Sequence, residues 1–232
     1  MSSGALRLPA LYPIVNVGDA GTAACERAFV LAVELADAGA TLLQLRAKTL
    51  GAGAMTELAK RIVAGLAGSG ALLIVNDRAD VAAASGAAGV HLGDDDLPVE
   101  AARRVLAASR TAPGGRGVSP SAGTIVGYST HSVAEAATAS TLGADYLGFG
   151  PVFESPTKAG VRDARGLALL ADACRATSLP VVAIGGITLD TAPDCWRAGA
   201  ASVAVISELE RSGDRRALVA AYRRAARDSG LA

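Results

Sequence analysis

Short runs of β-branched and aliphatic residues alternate with longer alanine-rich segments of helical period from one end of this chain to the other. Such alternation builds parallel strands joined by crossover helices. A strand buried on both faces reads as an apolar run, and the helix that covers it repeats its apolar positions every three or four residues. Strands are expected at residues 11–15, 41–45, 71–75, 89–92, 124–127, 145–149, 180–184 and 202–206, which makes eight. Helices are expected between them, for example at 23–38, 55–67, 99–108, 133–142 and 167–176. Gly39, Gly86, Gly143 and Gly199 stand where left-handed helix caps are expected, and each opens a Gly-Ala pair just ahead of a strand. Eight repeats of one βα unit close a barrel more naturally than an open sheet. The expected fold is therefore α/β, a (β/α)8 TIM barrel, with residues 1–232 forming a single domain.

Charge narrows the partners. Lys plus Arg and Asp plus Glu number 22 each, so no global field recruits nucleic acid or an anionic membrane, and an anionic substrate must be held by a local site. Cys25, Cys174 and Cys195 are odd in number and far apart, which fits reduced thiols used in packing, in a cytoplasmic protein, better than a disulfide framework. Residues 1–7 lack a charged-then-apolar leader pattern, and no apolar stretch reaches the roughly 18 residues of a membrane span. One segment breaks the rhythm. Residues 110–123 read RTAPGGRGVSPSAG and are expected to form a loop on the N-terminal face of the barrel, dispensable for chemistry or else used as an oligomer contact.

In a barrel the chemistry gathers at strand C-terminal ends and the loops after them. The second strand ends in Gln44, Arg46 and Lys48 at alternating positions, two cations and an amide suited to a polyphosphate; a solvated rim would read the same way. The third ends in Asn76-Asp77 and the fourth in His91-Leu92-Gly93-Asp94-Asp95-Asp96. Asp77 and Asp96, on neighbouring strand ends, offer the one or two hard carboxylates that Mg2+ takes alongside water and phosphate oxygens. Carboxylates at helix starts are as often caps; Asp80 is read as one, Asp94 and Asp95 as solvent-facing, and His91 as structural.

After the fifth strand, Ser129 is assigned to the site and Ser132 to a capping box with Glu135. The loop after the sixth carries Ser155, Thr157 and Lys158, two hydroxyls and a cation able to grasp phosphate. Gly185-Gly186 after the seventh strand and Ile206-Ser207 after the eighth occupy the slot where barrels bind a phosphate monoester through backbone N–H groups. No Ser-His-Asp order, Cys-His pair or dinucleotide fingerprint is present.

QLRAK (44–48), VNDRADVA (75–82), GVHLGDDDLP (89–98), GYSTHS (127–132), ADYLGFGPVFESPTKAG (144–160), AIGGI (183–187) and VAVIS (203–207) together resemble the thiamine phosphate synthase family, in family order over nearly the whole chain. The resemblance implies that hydroxymethylpyrimidine diphosphate and thiazole phosphate, or its carboxylated form, yield thiamine phosphate and pyrophosphate. It also implies a dissociative route in which the pyrimidine methylene leaves as a cation before the thiazole nitrogen attacks. Carried over by position, it makes Asp77 and Asp96 the Mg2+ ligands. Gln44, Arg46, Lys48, Asn76, Ser129 and Lys158 become contacts to the diphosphate, with Lys158, Ser129 and Arg46 catalytic. Ser155, Thr157, Gly186, Ile206 and Ser207 become the thiazole phosphate cradle.

The chain departs from the family pattern in three places. Asp94 stands where Gln is usual, Ser155 where Thr or another small residue is common, and the 110–123 loop is longer. A related thiazole tautomerase lacks the second carboxylate and uses a His at the sixth strand end; here Asp96 is present and that position is Pro151. A non-catalytic paralogue would have lost Asp77, Asp96 or Lys158, and all are kept. The substrates expected are small phosphorylated molecules, and a homo-oligomer is compatible with the sequence.

Overall fold

Eight strands follow one another in a closed barrel in the order β1-β2-β3-β4-β5-β6-β7-β8, which is the (β/α)8 architecture. The structure is a computed structural model and describes residues 6–111, 124–154 and 164–231. The strands are β1 (Leu11–Asn16), β2 (Leu42–Arg46), β3 (Leu72–Asn76), β4 (Gly89–Leu92), β5 (Ile125–Thr130), β6 (Tyr146–Phe149), β7 (Val181–Ile184) and β8 (Ser202–Val205). The helices are α1 (Thr22–Asp37), α2 (Ala52–Gly65), α3 (Ala79–Ser85), α4 (Val99–Thr111), α5 (Val133–Ala139), α6 (Gly166–Ala176), α7 (Ala192–Arg197), α8 (Ser207–Arg211) and α9 (Arg215–Asp228). Among the described residues no helix is long and apolar enough to cross a membrane.

Two compact units make up the chain, one of Met1–Tyr12, Gly127–Val205 and Ala221–Ala232, the other of Pro13–Val126 and Ile206–Ala220. In the second, β1, β2, β3 and β4 pair in parallel, with Ile14 against Gln44, Gln44 against Ile74 and Ile74 against Gly89. Val15, Leu43, Leu45, Ile74, Val75 and Val90 are fully enclosed, which is why these strands read as unbroken apolar runs. Gly89 is where β4 meets the next strand most closely: a Cβ there would come within 1.8 Å of the Ile125 carbonyl oxygen. Gly89→Ala should therefore cost about 3 kcal/mol of stability, read as a lower urea midpoint; an unchanged midpoint would show that the backbones can separate at that point.

In the first unit, β5, β6, β7 and β8 pair in parallel, with Ser129 opposite Gly148, Leu147 opposite Val181 and Val182 opposite Ser202. The Tyr12 and Tyr146 hydroxyls share a buried hydrogen bond of 2.9 Å, and their rings meet edge to face. Cys195 is buried and Cys174 half-buried. Burial pushes their thiols up to about 12 and about 11, so both are protonated packing groups, as the sequence reading expected.

Several local expectations change. Strand β5 runs three residues past the expected end at 127, because Tyr128, Ser129 and Thr130 continue the ladder with β6 and the Thr130 hydroxyl donates to the Gly148 carbonyl. The helix expected at 133–142 stops at Ala139 and closes with a 3-10 turn, Ser140–Leu142, while α4 runs on to Thr111 instead of ending at 108. Asp80 is not a cap: Arg78 holds that position, and Asp80 lies in the first turn, where the Arg78 guanidinium binds it and holds its carboxyl below the usual range. Ser132 does cap α5, accepting from the Glu135 N–H, but the Glu135 carboxylate reaches the His131 N–H, one residue before the cap. Gly39, Gly86, Gly143 and Gly199 all have positive φ, as expected. Residues 112–123 of the irregular stretch, and Ser155, Thr157 and Lys158, lie outside the described residues.

Candidate active site

In the unit that holds β2, β3 and β4, the strand ends bring carboxylates and cations together. Gln44 is buried and Arg46 half-buried at the end of β2, with Lys48 exposed two residues on. The Arg46 guanidinium donates through Nη1 to Oδ1 of Asn16 at 2.7 Å. Lys48 Nζ lies 3.6 Å from Oδ2 of Asp77.

Asn76, the last residue of β3, is buried, and Asp77 follows it in an unusual conformation, with φ of +67°. No other described non-glycine residue has positive φ. The turn is held by the Asp77 N–H donating to the His91 carbonyl at 2.7 Å and by the Arg78 N–H donating to the Asn76 carbonyl at 2.9 Å. A left-handed side-chain-bearing residue costs on the order of 1–3 kcal/mol and persists only where its surroundings fix it. Here the strained turn sets the direction of the Asp77 carboxylate.

Asp96 is fixed from its own loop: the Gly93 N–H donates to its Oδ2 at 2.7 Å. Burial raises the Asp96 carboxyl above its ordinary range against the pull of that N–H, and the neighbouring Asp77 carboxylate raises it further. Asp77 is thus close enough to Asp96 to disfavour its ionisation, a cost that a cation beside the two would relieve. Burial pushes the His91 imidazole down to about 4, so it is neutral at neutral pH and adds no cation beside Asp96.

Among the described residues no group of three or more His, Cys, Asp or Glu could hold a metal ion. Mg2+ takes one or two carboxylates, with the remaining positions filled by phosphate oxygens and water. The donor set of Asp77 and Asp96 fits such an ion.

In the other unit, Ser129 is half-buried on β5 opposite Gly148. The segment after β6 is strapped to β7, with the Val152 N–H donating to the Ile184 carbonyl at 2.8 Å and the Phe153 N–H to the Gly185 carbonyl at 3.0 Å. Gly185 and Gly186 have φ of +102° and +64°. A Cβ on Gly186 would meet the Glu154 carbonyl oxygen at 2.3 Å, so the turn is closed to any side chain. His131 Nδ1 donates to the Gly150 carbonyl at 2.7 Å, tying the end of β5 to the same segment. Of the other expected cradle residues, Ile206 precedes α8 and Ser207 opens it, in the unit that carries β2 to β4.

A thiamine monophosphate synthase family model matches residues 11–113 and 116–209. The chain belongs to the thiamine monophosphate synthase family. It is 45% identical over 226 residues to the thiamine-phosphate synthase of Anaeromyxobacter dehalogenans, across 97% of this chain and 91% of that one. It is 41% identical over 174 residues to the thiamine-phosphate synthase of Chlorobium luteolum, across 75% of this chain and 76% of that one. Its structure is similar to the thiamine phosphate pyrophosphorylase from Pyrococcus furiosus, with a TM-score of 0.76 and 30% identity, covering 95% of this chain and 96% of the other. Within the thiamine monophosphate synthase family it is of the thiamine-phosphate synthase class, an enzyme and a transferase of thiamine biosynthesis.

Sequence reasoning passed over one residue at this site, Asn16. A polar residue closing an otherwise apolar strand end was the available signal, but its link to Arg46 depends on the register of β1 against β2.

Proposed function

We propose that the chain, working as one barrel domain of residues 1–232 in the cytoplasm, joins hydroxymethylpyrimidine diphosphate to thiazole phosphate and releases thiamine phosphate and pyrophosphate. The observation that carries this reading is the pair of neighbouring carboxylates, Asp77 and Asp96, with Lys48 at 3.6 Å from the first, in a chain of this family. Asp77 and Asp96 would hold Mg2+, which when bound neutralises charge on the diphosphate and its leaving group.

Arg46, Lys48 and Lys158 supply the other positive charge. Gln44, Asn76 and Ser129 orient the diphosphate by hydrogen bonds, and Arg46, Ser129 and Lys158 stabilise the pyrophosphate as it leaves. Ser155, Thr157, Gly186, Ile206 and Ser207 hold the thiazole phosphate. The bond from the pyrimidine methylene to the diphosphate oxygen breaks with its electron pair on pyrophosphate. The lone pair of the thiazole ring nitrogen then forms the new carbon–nitrogen bond. That nitrogen carries no proton to remove, so the chemistry calls for charge stabilisation of the leaving group, not for a general base.

The test is pyrophosphate release from the purified chain given the pyrimidine diphosphate, the thiazole phosphate and Mg2+, with each omitted in turn. Release that requires all three is expected. No release, together with isomerisation of a thiazole carboxylate phosphate, would move the assignment to a tautomerase. Lys158→Ala should lower kcat by about a hundredfold while changing KM little, since a group that follows departing charge acts mainly in the transition state; a pure KM effect would contradict that role.

A further inference from the structure

The pairing of β5 with β6 ends at Thr130 opposite Phe149, where the chain leaves β5 for α5. The next backbone bond, from the Gly150 N–H to the Thr130 carbonyl, is already long at 3.4 Å. Beyond it the Gly150 carbonyl is met by a side chain, with His131 Nδ1 donating to it at 2.7 Å. The direction follows from chemistry, since a carbonyl only accepts and the ring nitrogen facing it must carry the proton. The imidazole is aimed from a fixed base. The His131 N–H donates to Oε2 of Glu135 at 2.6 Å, and Oε1 of the same carboxylate accepts from the Ser132 hydroxyl at 2.9 Å.

The segment that this bond holds, residues 150–154, lies backbone against backbone on the turn after β7. A Cβ on Gly150 would come within 2.2 Å of the Ile184 carbonyl oxygen, one on Gly185 within 2.6 Å of the Pro151 Cα, and one on Gly186 within 2.3 Å of the Glu154 carbonyl oxygen. The Val152 and Phe153 N–H groups bond the Ile184 and Gly185 carbonyls across the same contact. Backbones packed this closely cannot move independently, so a shift of Gly150 carries the Gly185-Gly186 turn with it.

We infer that His131 is a positioning residue for the thiazole phosphate: its Nδ1–H sets the place of the segment after β6 and, through it, of the Gly185-Gly186 turn. The inference rests on the proposed role of Gly186 in the thiazole phosphate cradle. It assigns His131 to that substrate although Ser129, two residues away, is proposed for the diphosphate. A role confined to holding β5 against β6 predicts something different, namely a loss of stability with both substrates affected alike.

The test is calorimetric binding of thiazole phosphate and, separately, of pyrophosphate with Mg2+ to the full chain, with steady-state kinetics and Tm beside them. In asparagine the amide nitrogen stands two bonds from Cβ, as Nδ1 does in histidine, and in glutamine it stands three. His131→Asn should therefore keep the bond to Gly150 and stay within about threefold of wild type for thiazole phosphate. His131→Gln and His131→Leu should raise Kd and KM for thiazole phosphate by roughly tenfold, which is about 1.4 kcal/mol, and leave pyrophosphate binding near wild type. In a Gly186→Ala background His131→Gln should add little further loss, because both substitutions displace the same turn. If His131→Leu does not fold, the contrast between Asn and Gln decides. Unchanged thiazole phosphate binding in His131→Gln, equal impairment by Asn and Gln, parallel loss of both ligands, or full additivity with Gly186→Ala would overturn the inference alone. A wild-type chain that binds pyrophosphate but no thiazole phosphate, even with both present, would overturn the cradle and the inference with it.

Discussion

Asp96→Asn should reduce Mg2+-dependent pyrophosphate release by about three powers of ten, a loss of about 4 kcal/mol in transition-state stabilisation. The expectation comes from the donor count. On the proposed reading Asp96 would supply one of the two carboxylates that hold the cation, and an amide is a far poorer ligand for Mg2+. Asparagine keeps the size of the side chain and an oxygen for the Gly93 N–H, so the loop from 93 to 96 should hold its shape. Its Tm without metal should not fall, because burial and the Asp77 carboxylate beside it already disfavour a charge on Asp96, and the amide carries none. Activity lost while stability is kept is the signature of a group placed for the ligand and not for the fold. Calorimetric titration with Mg2+ and pyrophosphate would locate the loss, and near-normal turnover would remove Asp96 from the metal shell.

Most of the barrel was legible because buried parallel strands write themselves as apolar runs, and the polar residues of β2, β3 and β4 (Gln44, Arg46, Asn76 and His91) come only after an apolar start. Legibility failed where polarity and strand pairing diverge. Tyr128, Ser129 and Thr130 look like a loop, yet they pair with β6, and Thr130 is fully buried because its hydroxyl has the Gly148 carbonyl to bond. The Asp77 and Asp96 pairing was readable from strand order alone, since β3 and β4 are neighbours. The backbone strain at Asp77 was not, because nothing in Asn-Asp-Arg announces a left-handed residue; it is imposed by the bonds to the His91 and Asn76 carbonyls. The link from Asn16 to Arg46 was hidden for a related reason. A hydrogen bond between residues 30 positions apart exists only once the strand register is fixed.

Gly186→Ala should lower kcat/KM for thiazole phosphate by about a hundredfold while leaving pyrophosphate binding near wild type. The added methyl group would sit 2.3 Å from the Glu154 carbonyl oxygen and 2.9 Å from the Phe153 Cβ. The first is backbone, so it cannot yield by changing a rotamer. The left-handed φ of +64° adds roughly 1–2 kcal/mol for any side chain. The clash can be relieved only by separating the segment after β6 from the turn after β7, which breaks or lengthens the bonds from Val152 and Phe153 to Ile184 and Gly185. A displacement of about 1 Å in a positioning element is enough to cost a hundredfold in rate. Gly51→Ala is the matching control, since Gly51 has open space around its Cβ position and ordinary negative φ. If Gly186→Ala weakens both substrates equally, the turn supports the barrel as a whole and not the thiazole phosphate. If it weakens neither, the backbone N–H groups of this turn do not hold the phosphate, and the cradle must be built from the hydroxyls of Ser155, Thr157 and Ser207.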